Sequence, residues 1–272
     1  MSVIFFLILS NVSAQKMEIE IHDLSKIEVY NIYGKINVVG TDDNMIILEV
    51  TRQKGVPENF NSLKFDLRES NTKMDLNIEN NGSILKIYPS SAKAILSDYL
   101  IKMPRNLMLK INSVTGIKNN WSPAGFKSVL TDTILIQNMV NDIEIEASFF
   151  SILKIIDISG PIVAKTYFGD IFIEFSSLSQ ARPSSIQSFS GKISLVLPRS
   201  VNCDIEQSSF SGKFNSELEL NNMEVKTPDP KVRSKTTVTG DEANTKISGK
   251  INNGGVKLYL RTFKGDITIS KN

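Results

Sequence analysis

The chain has 272 residues, 41% of them hydrophobic and 22% charged, with a formal net charge of +2. It is therefore globular, with enough length to bury a core unaided, and its basic excess is too small to draw nucleic acid or an anionic membrane from a distance. A single cysteine, Cys203, and a single histidine, His22, rule out an intrachain disulfide and remove the usual zinc ligand sets and most nucleophile–base pairs; no cofactor, metal site or catalytic residue is expected.

Residues Val3 to Leu9 form an apolar run too short to span a bilayer. It suits the core of a secretory leader, with Val12 and Ala14 as the small residues before cleavage and Gln15 as the mature first residue. The expected division is a leader over 1–14 and one domain over 15–272, exported to the periplasm or cell surface, with no membrane span in the mature chain. Met1-Ser2-Val3 lacks the basic residue a leader usually carries. A buried first strand over 3–9, or a start at Met17, are the alternatives.

From about residue 17 onward, apolar and polar residues alternate. Ile19 and Ile21 alternate with Glu18 and Glu20, Ile36 and Val38 with Lys35 and Asn37, and Ile143 and Ile145 with Asp142 and Glu144. Ile171, Ile173 and Phe175, and later Val256, Leu258 and Leu260, continue the pattern. A period of two is the mark of half-buried strands. Asn80-Asn81-Gly82 reads as a tight hairpin turn. Ser90 to Leu100 is the best short helical candidate, of one or two turns. The cluster Trp121-Ser122-Pro123-Ala124-Gly125 reads as a turn, and residues 221 to 245 as a polar excursion.

A strand-start signal recurs: glycine, a polar residue, then an apolar one. It begins at Gly34, Gly169, Gly191, Gly212, Gly249 and Gly265. Phe168, Phe189, Phe210 and Phe263 precede four of these glycines by one or two residues. Glycine suits a corner where the backbone turns into a new strand, and the aromatic can pack beside it. Gly169 to Gly191 is 22 residues and Gly191 to Gly212 is 21, a period typical of repeat architectures. Pro104 and Pro198 should each close a strand. The fold predicted is all-β, a β-solenoid or β-helix-like stack of short strand repeats, with residues 55 to 130 fitting the repeat poorly.

The segment Tyr33-Gly34-Lys35-Ile36-Asn37-Val38-Val39-Gly40-Thr41-Asp42-Asp43-Asn44-Met45-Ile46 resembles the opening of the bacterial putative-adhesin β-strand-repeat domains of unknown function. The ending, Gly254 to Ile269, resembles them too, and the leader is similar to those of exported proteins of the Bacteroidetes type. The resemblance implies an exported β-solenoid and brings no site residues with it.

Asp170 and Asp266 are the tempting acid pair for a carbohydrate-active enzyme, but an Asp after a turn glycine is ordinary turn chemistry, and lysines hold the equivalent place in other repeats. Asp42-Asp43-Asn44 offers too few oxygens for calcium and reads as a polar turn. His22 is expected at a strand end and Cys203 as a small semi-buried hydrophobe. Asn81-Gly82-Ser83 matches a glycosylation pattern and is read as a turn. Outward Phe172 and Tyr259 are candidates for sugar stacking, or simply cover neighbouring strands. The function expected is a non-catalytic, adhesin-like envelope or surface protein presenting a binding face to a protein or glycan. A carbohydrate-active enzyme or an envelope-stress regulatory partner are the alternatives.

Overall fold

The computed structural model describes residues 6–9, 14–31, 34–52, 76–90, 97–113, 132–147, 151–178, 181–226, 230–234, 237–240 and 245–272. These form 24 strands and no helix, gathered into a 13-stranded sheet A and an 11-stranded sheet B. The all-β expectation holds.

The chain shuttles between the sheets. Eight times over, in the parallel part of the sheets, a strand in sheet B is followed by one in sheet A: β3 (Lys26–Asn31) and β4 (Ile36–Thr41), β7 (Ile84–Pro89) and β8 (Ser97–Pro104), β9 (Met108–Ser113) and β10 (Asp132–Met139), β11 (Ile143–Ala147) and β12 (Ser151–Ile158). The series continues with β13 (Ile162–Thr166) and β14 (Ile171–Phe175), β15 (Ser184–Ser190) and β16 (Ile193–Leu197), β17 (Cys203–Ser211) and β18 (Lys213–Ser216), and β23 (Val256–Lys264) and β24 (Ile267–Lys271). We call each couple a tier. Neighbouring tiers pair in parallel, and both sheets keep the same tier order.

That order departs from the sequence at two places. β3–β4 lies between β7–β8 and β9–β10, and β23–β24 lies between β15–β16 and β17–β18. Antiparallel strands extend both ends. At one end β5 (Met45–Arg52), β2 (Ala14–Glu20) and β1 (Phe6–Leu9) continue sheet A, and β6 (Leu76–Asn81) continues sheet B. At the other, β22 (Thr245–Ile251) and β19 (Leu220–Lys226) continue sheet B, while β21 (Thr237–Gly240) and β20 (Pro230–Ser234) continue sheet A. The final strand of sheet B, β19, carries a bulge between Asn221 and Glu224 and exposes Asn222, Glu224 and Lys226. Bulges and charges of this kind discourage pairing with other chains at an edge.

Alternation places one apolar column beside another. In sheet A, Ile36, Ile134, Leu153, Ile171, Ile193 and Ile267 line up in register and are all buried. In sheet B, Val29, Ile111, Ile145, Ala164, Ile186 and Leu260 do the same. The buried apolar residues form one cluster running from Met17 to Ile269. Each side chain lies on its equivalent in the next tier, so β-branched residues fit their neighbours along the whole column.

Several expectations need correction. Of the helical candidate Ser90 to Leu100, the last four residues open β8, where Ser97, Tyr99, Ile101 and Met103 point inward at a period of two. Within 55 to 130 the described strands β7, β8 and β9 are ordinary members of the tiers; residues 55–75, 91–96 and 114–130 lie outside the described residues. The turn cluster at Trp121 lies outside the described residues. Gly82-Ser83 makes a two-residue hairpin turn between β6 and β7, with Gly82 at φ 70°. Pro104 is the last residue of β8, and Pro198 directly follows β16.

Candidate functional site

The crossing from sheet B to sheet A is built alike in four successive tiers. In spatial order the crossings read Tyr167-Phe168-Gly169-Asp170, Phe189-Ser190-Gly191-Lys192, Phe263-Lys264-Gly265-Asp266 and Phe210-Ser211-Gly212-Lys213. A side chain at the glycine position would strike the tier beside it. A Cβ on Gly191 would lie 2.1 Å from the Gly169 carbonyl oxygen, one on Gly265 2.1 Å from that of Gly191, and one on Gly212 1.9 Å from that of Gly265. Close approach, more than φ, is what demands glycine at Gly191.

The residue after each glycine alternates in charge along the stack: Asp170, Lys192, Asp266, Lys213. The Lys192 amide donates to Asp170 Oδ1 at 2.8 Å, and the Lys213 amide donates to Asp266 Oδ1 at 2.8 Å. Asp98 accepts from the Lys35 amide in the same way at 2.7 Å. The two aspartates singled out in the sequence thus bind main-chain N–H groups of the next tier. Lys192 stands between them in the stack.

Beside this corner the aromatic rings form a ladder. Phe189 and Phe263 stack at 5.0 Å between centroids, 6° from parallel; Phe263 and Phe210 stack at 4.4 Å, 14° from parallel. Phe168 meets Phe189 edge-on at 5.8 Å. The strand spacing of about 4.8 Å is close to a ring-stacking distance, so the stack sets the ladder. Phe189, Phe263 and Phe210 nevertheless remain 47%, 38% and 39% exposed, enough for their edges to face solvent.

Two columns on sheet B enclose a groove of about 310 Å³. The aromatic column of Tyr167, Phe189, Phe263 and Phe210 is one wall, and Lys165, Gln187, Arg261 and Ser208 form the other. The second wall is in register across four strands. The floor holds buried hydroxyls: Ser188 Oγ donates to the Gly169 carbonyl at 3.1 Å and Thr262 Oγ1 to the Gly191 carbonyl at 3.3 Å. Lys165 pairs with Glu146 at 3.3 Å and lies 5.4 Å from the Tyr167 ring centroid. Arg261 is exposed, with no ionic partner among the described residues. The groove offers cations, an amide, hydroxyls and aromatic edges, which is equipment for binding.

The other residues named from sequence fall elsewhere. Gly34 precedes β4, where a Cβ would lie 2.2 Å from the Ser97 carbonyl oxygen. Gly249 matches the strand-start pattern but lies inside β22, against Leu220; it is no corner, because β22 runs straight through it as an antiparallel partner of β17. Ala14 and Gln15 open β2, opposite Thr51 and Val50. Phe172 belongs to sheet A and Tyr259 to sheet B, so they form no common strip. Asp42 pairs with Arg105 at 2.7 Å. His22 follows β2, exposed, 3.7 Å from Glu20. Cys203 is fully buried, and burial, helped by the Asp204 charge, pushes its thiol pKa up to about 12; it stays protonated and poorly nucleophilic. The four phenylalanines are legible in the sequence; Lys165 and Arg261 are not, because they join the site only through strand register.

No family model matches the sequence, and no curated protein does. The chain is similar to solved structures named as a putative cell adhesion protein or as putative adhesins. One, a putative cell adhesion protein from Clostridium sporogenes, is 12% identical, with 95% of this chain and 99% of that chain covered and a TM-score of 0.44. Another, a putative adhesin from Bacteroides fragilis, is 12% identical over 95% of this chain and 97% of that one, at 0.42. A third, a putative adhesin from Parabacteroides distasonis, is 15% identical over 69% and 76%, at 0.32.

Proposed function

We propose that this chain is an exported, non-catalytic envelope or surface protein of adhesin-like character. Its tiers are read as the turns of a β-solenoid, a form that gives long, rigid surfaces suited to binding. The observation that carries the reading is the groove over β13, β15, β23 and β17, where an exposed phenylalanine ladder faces a polar and cationic column. Exposed aromatics set beside directed polar groups are the usual make-up of a recognition surface. The partner is a protein or glycan at the cell envelope. Residues 1–14 are read as a leader, whose removal before Gln15 would leave β2 as the edge of sheet A.

Two measurements test this. The secreted chain should begin at Gln15 by mass spectrometry of its N-terminal peptide; an intact Met1 or a Met17 start contradicts export by this leader. Binding to a panel of immobilised glycans and extracellular proteins should be lost in Arg261→Glu with the fold intact. Binding that survives this substitution, or no binding at all, contradicts the groove as the binding face.

A further inference from the structure

We infer that the groove takes a linear acidic polysaccharide, lying along the stack and carrying one anionic group on every second sugar. The inference deepens the binding role proposed above and rests on it. Its basis is the period of the cations. In register across successive strands of sheet B stand Lys165 on β13, Gln187 on β15, Arg261 on β23, Ser208 on β17 and Lys246 on β22. From β13 to β22 cations therefore occupy alternate strands, with uncharged hydrogen-bonding residues between them; beyond Lys246 the register continues to Lys226 on β19, which pairs with Glu224 at 3.9 Å. Glu146, the neighbour of Lys165 on β11, closes the column at one end. Arg261 and Lys246 are exposed, and neither has an ionic partner among the described residues.

Two strand spacings set the cations about 10 Å apart. Two linked hexoses span about that interval, so a carboxylate on alternate sugars meets each cation in turn. An extended peptide does not fit, because its same-face side chains recur every two residues, at about 6.7 Å. Single-stranded nucleic acid presents charge far more densely than one per 10 Å. The aromatic wall agrees with an anionic ligand. The inner ring faces are occupied by one another, which leaves the electropositive ring edges turned outward, and such edges suit carboxylate and hydroxyl oxygens better than the flat face of a sugar.

The test uses hyaluronate, a linear chain with one carboxylate per disaccharide, as the probe in titration calorimetry with the full chain. The comparison ligands are the same polymer with its carboxylates reduced to alcohols, and poly-L-glutamate. Hyaluronate should bind, weaken with added salt, and lose about tenfold in affinity in Arg261→Gln and again in Lys246→Gln. Both residues are exposed, and unchanged melting curves verify the fold. Equal binding of the carboxyl-reduced polymer, or tighter binding of poly-L-glutamate, overturns the ligand class. If such binding still weakens in Arg261→Gln, the groove itself stands. If no probe binds in a way that depends on Arg261 or Lys246, the groove and its ligand class both fall.

Discussion

Gly191→Ala tests whether the corners are held by close approach between tiers. The added Cβ would lie 2.1 Å from the Gly169 carbonyl oxygen and 2.5 Å from its carbon, about 1 Å inside any tolerable contact, and both atoms are main chain that cannot rotate away. The corner has to open. Opening strains the Gly191 amide bond to the Lys264 carbonyl at 2.9 Å, the Ile171 amide bond to the Lys192 carbonyl at 2.8 Å, and the Ser188 hydroxyl bond to the Gly169 carbonyl at 3.1 Å. Overpacking of about 2 kcal/mol, with one or two weakened hydrogen bonds of about 1 kcal/mol each, gives a loss of about 3–4 kcal/mol. Gly82→Ala is the control: its Cβ meets nothing within 4 Å, and only φ 70° opposes it, a cost of about 1–2 kcal/mol. Guanidinium unfolding of both variants measures the difference. If Gly191→Ala is no worse than Gly82→Ala, the tiers are not in the contact described here.

Three further outcomes follow from the same structure. The Glu28 carboxyl is held below its ordinary pKa, chiefly by the hydrogen bond from Lys26 at 2.7 Å and then by the Lys26 charge, Tyr30 and Lys86, against the opposing effect of burial. A lowered folded-state pKa stabilises the fold above the ordinary carboxylate range and is lost as pH falls through the folded value, so melting temperatures at pH 7 and about pH 3 should differ less in Glu28→Gln than in the parent. Asp266→Lys would put three lysines in succession along the corner and remove the acceptor of the Lys213 amide; a loss of about 2 kcal/mol, larger at low salt, is expected in chemical denaturation. Gln207 interrupts the apolar column between Leu260 and Ile247 at 1% exposure, and its Oε1 accepts no hydrogen bond among the described residues; Gln207→Met should raise stability by about 1 kcal/mol, seen as a higher melting temperature.

Much of the architecture is legible in the sequence because it is local. Alternation reports a half-buried strand directly, and the recurring glycine corners reflect a crowding that every tier repeats. The order of the tiers is not local. The 22- and 21-residue intervals from Gly169 to Gly191 to Gly212 suggest simple succession, yet Gly265, 53 residues beyond Gly212, stands between Gly191 and Gly212 in space. A signal for this existed in the corner charges. Read in chain order, Lys192 and Lys213 would be neighbours; with Asp266 between them the signs alternate, as side-by-side strands prefer. Gly249 shows the opposite failure: the same three-residue pattern fits a strand interior packed against Leu220. The groove was half legible for the same reason. Its phenylalanines share a motif, whereas Lys165 and Arg261 share only a register.

Cross-linking measures the tier order most directly. Arg261 lies beside Gln187, one strand spacing of about 4.8 Å away, and Ser208 lies two spacings, about 10 Å, from Gln187. Disulfides need Cα atoms no more than about 7 Å apart, and the native Cys203 is buried away from the groove. The pair Gln187→Cys with Arg261→Cys should therefore oxidise readily in the folded chain, while Gln187→Cys with Ser208→Cys should stay reduced. The reverse result would place β17 against β15 and leave β23 outside the stack, contradicting both the tier order and the groove built on it.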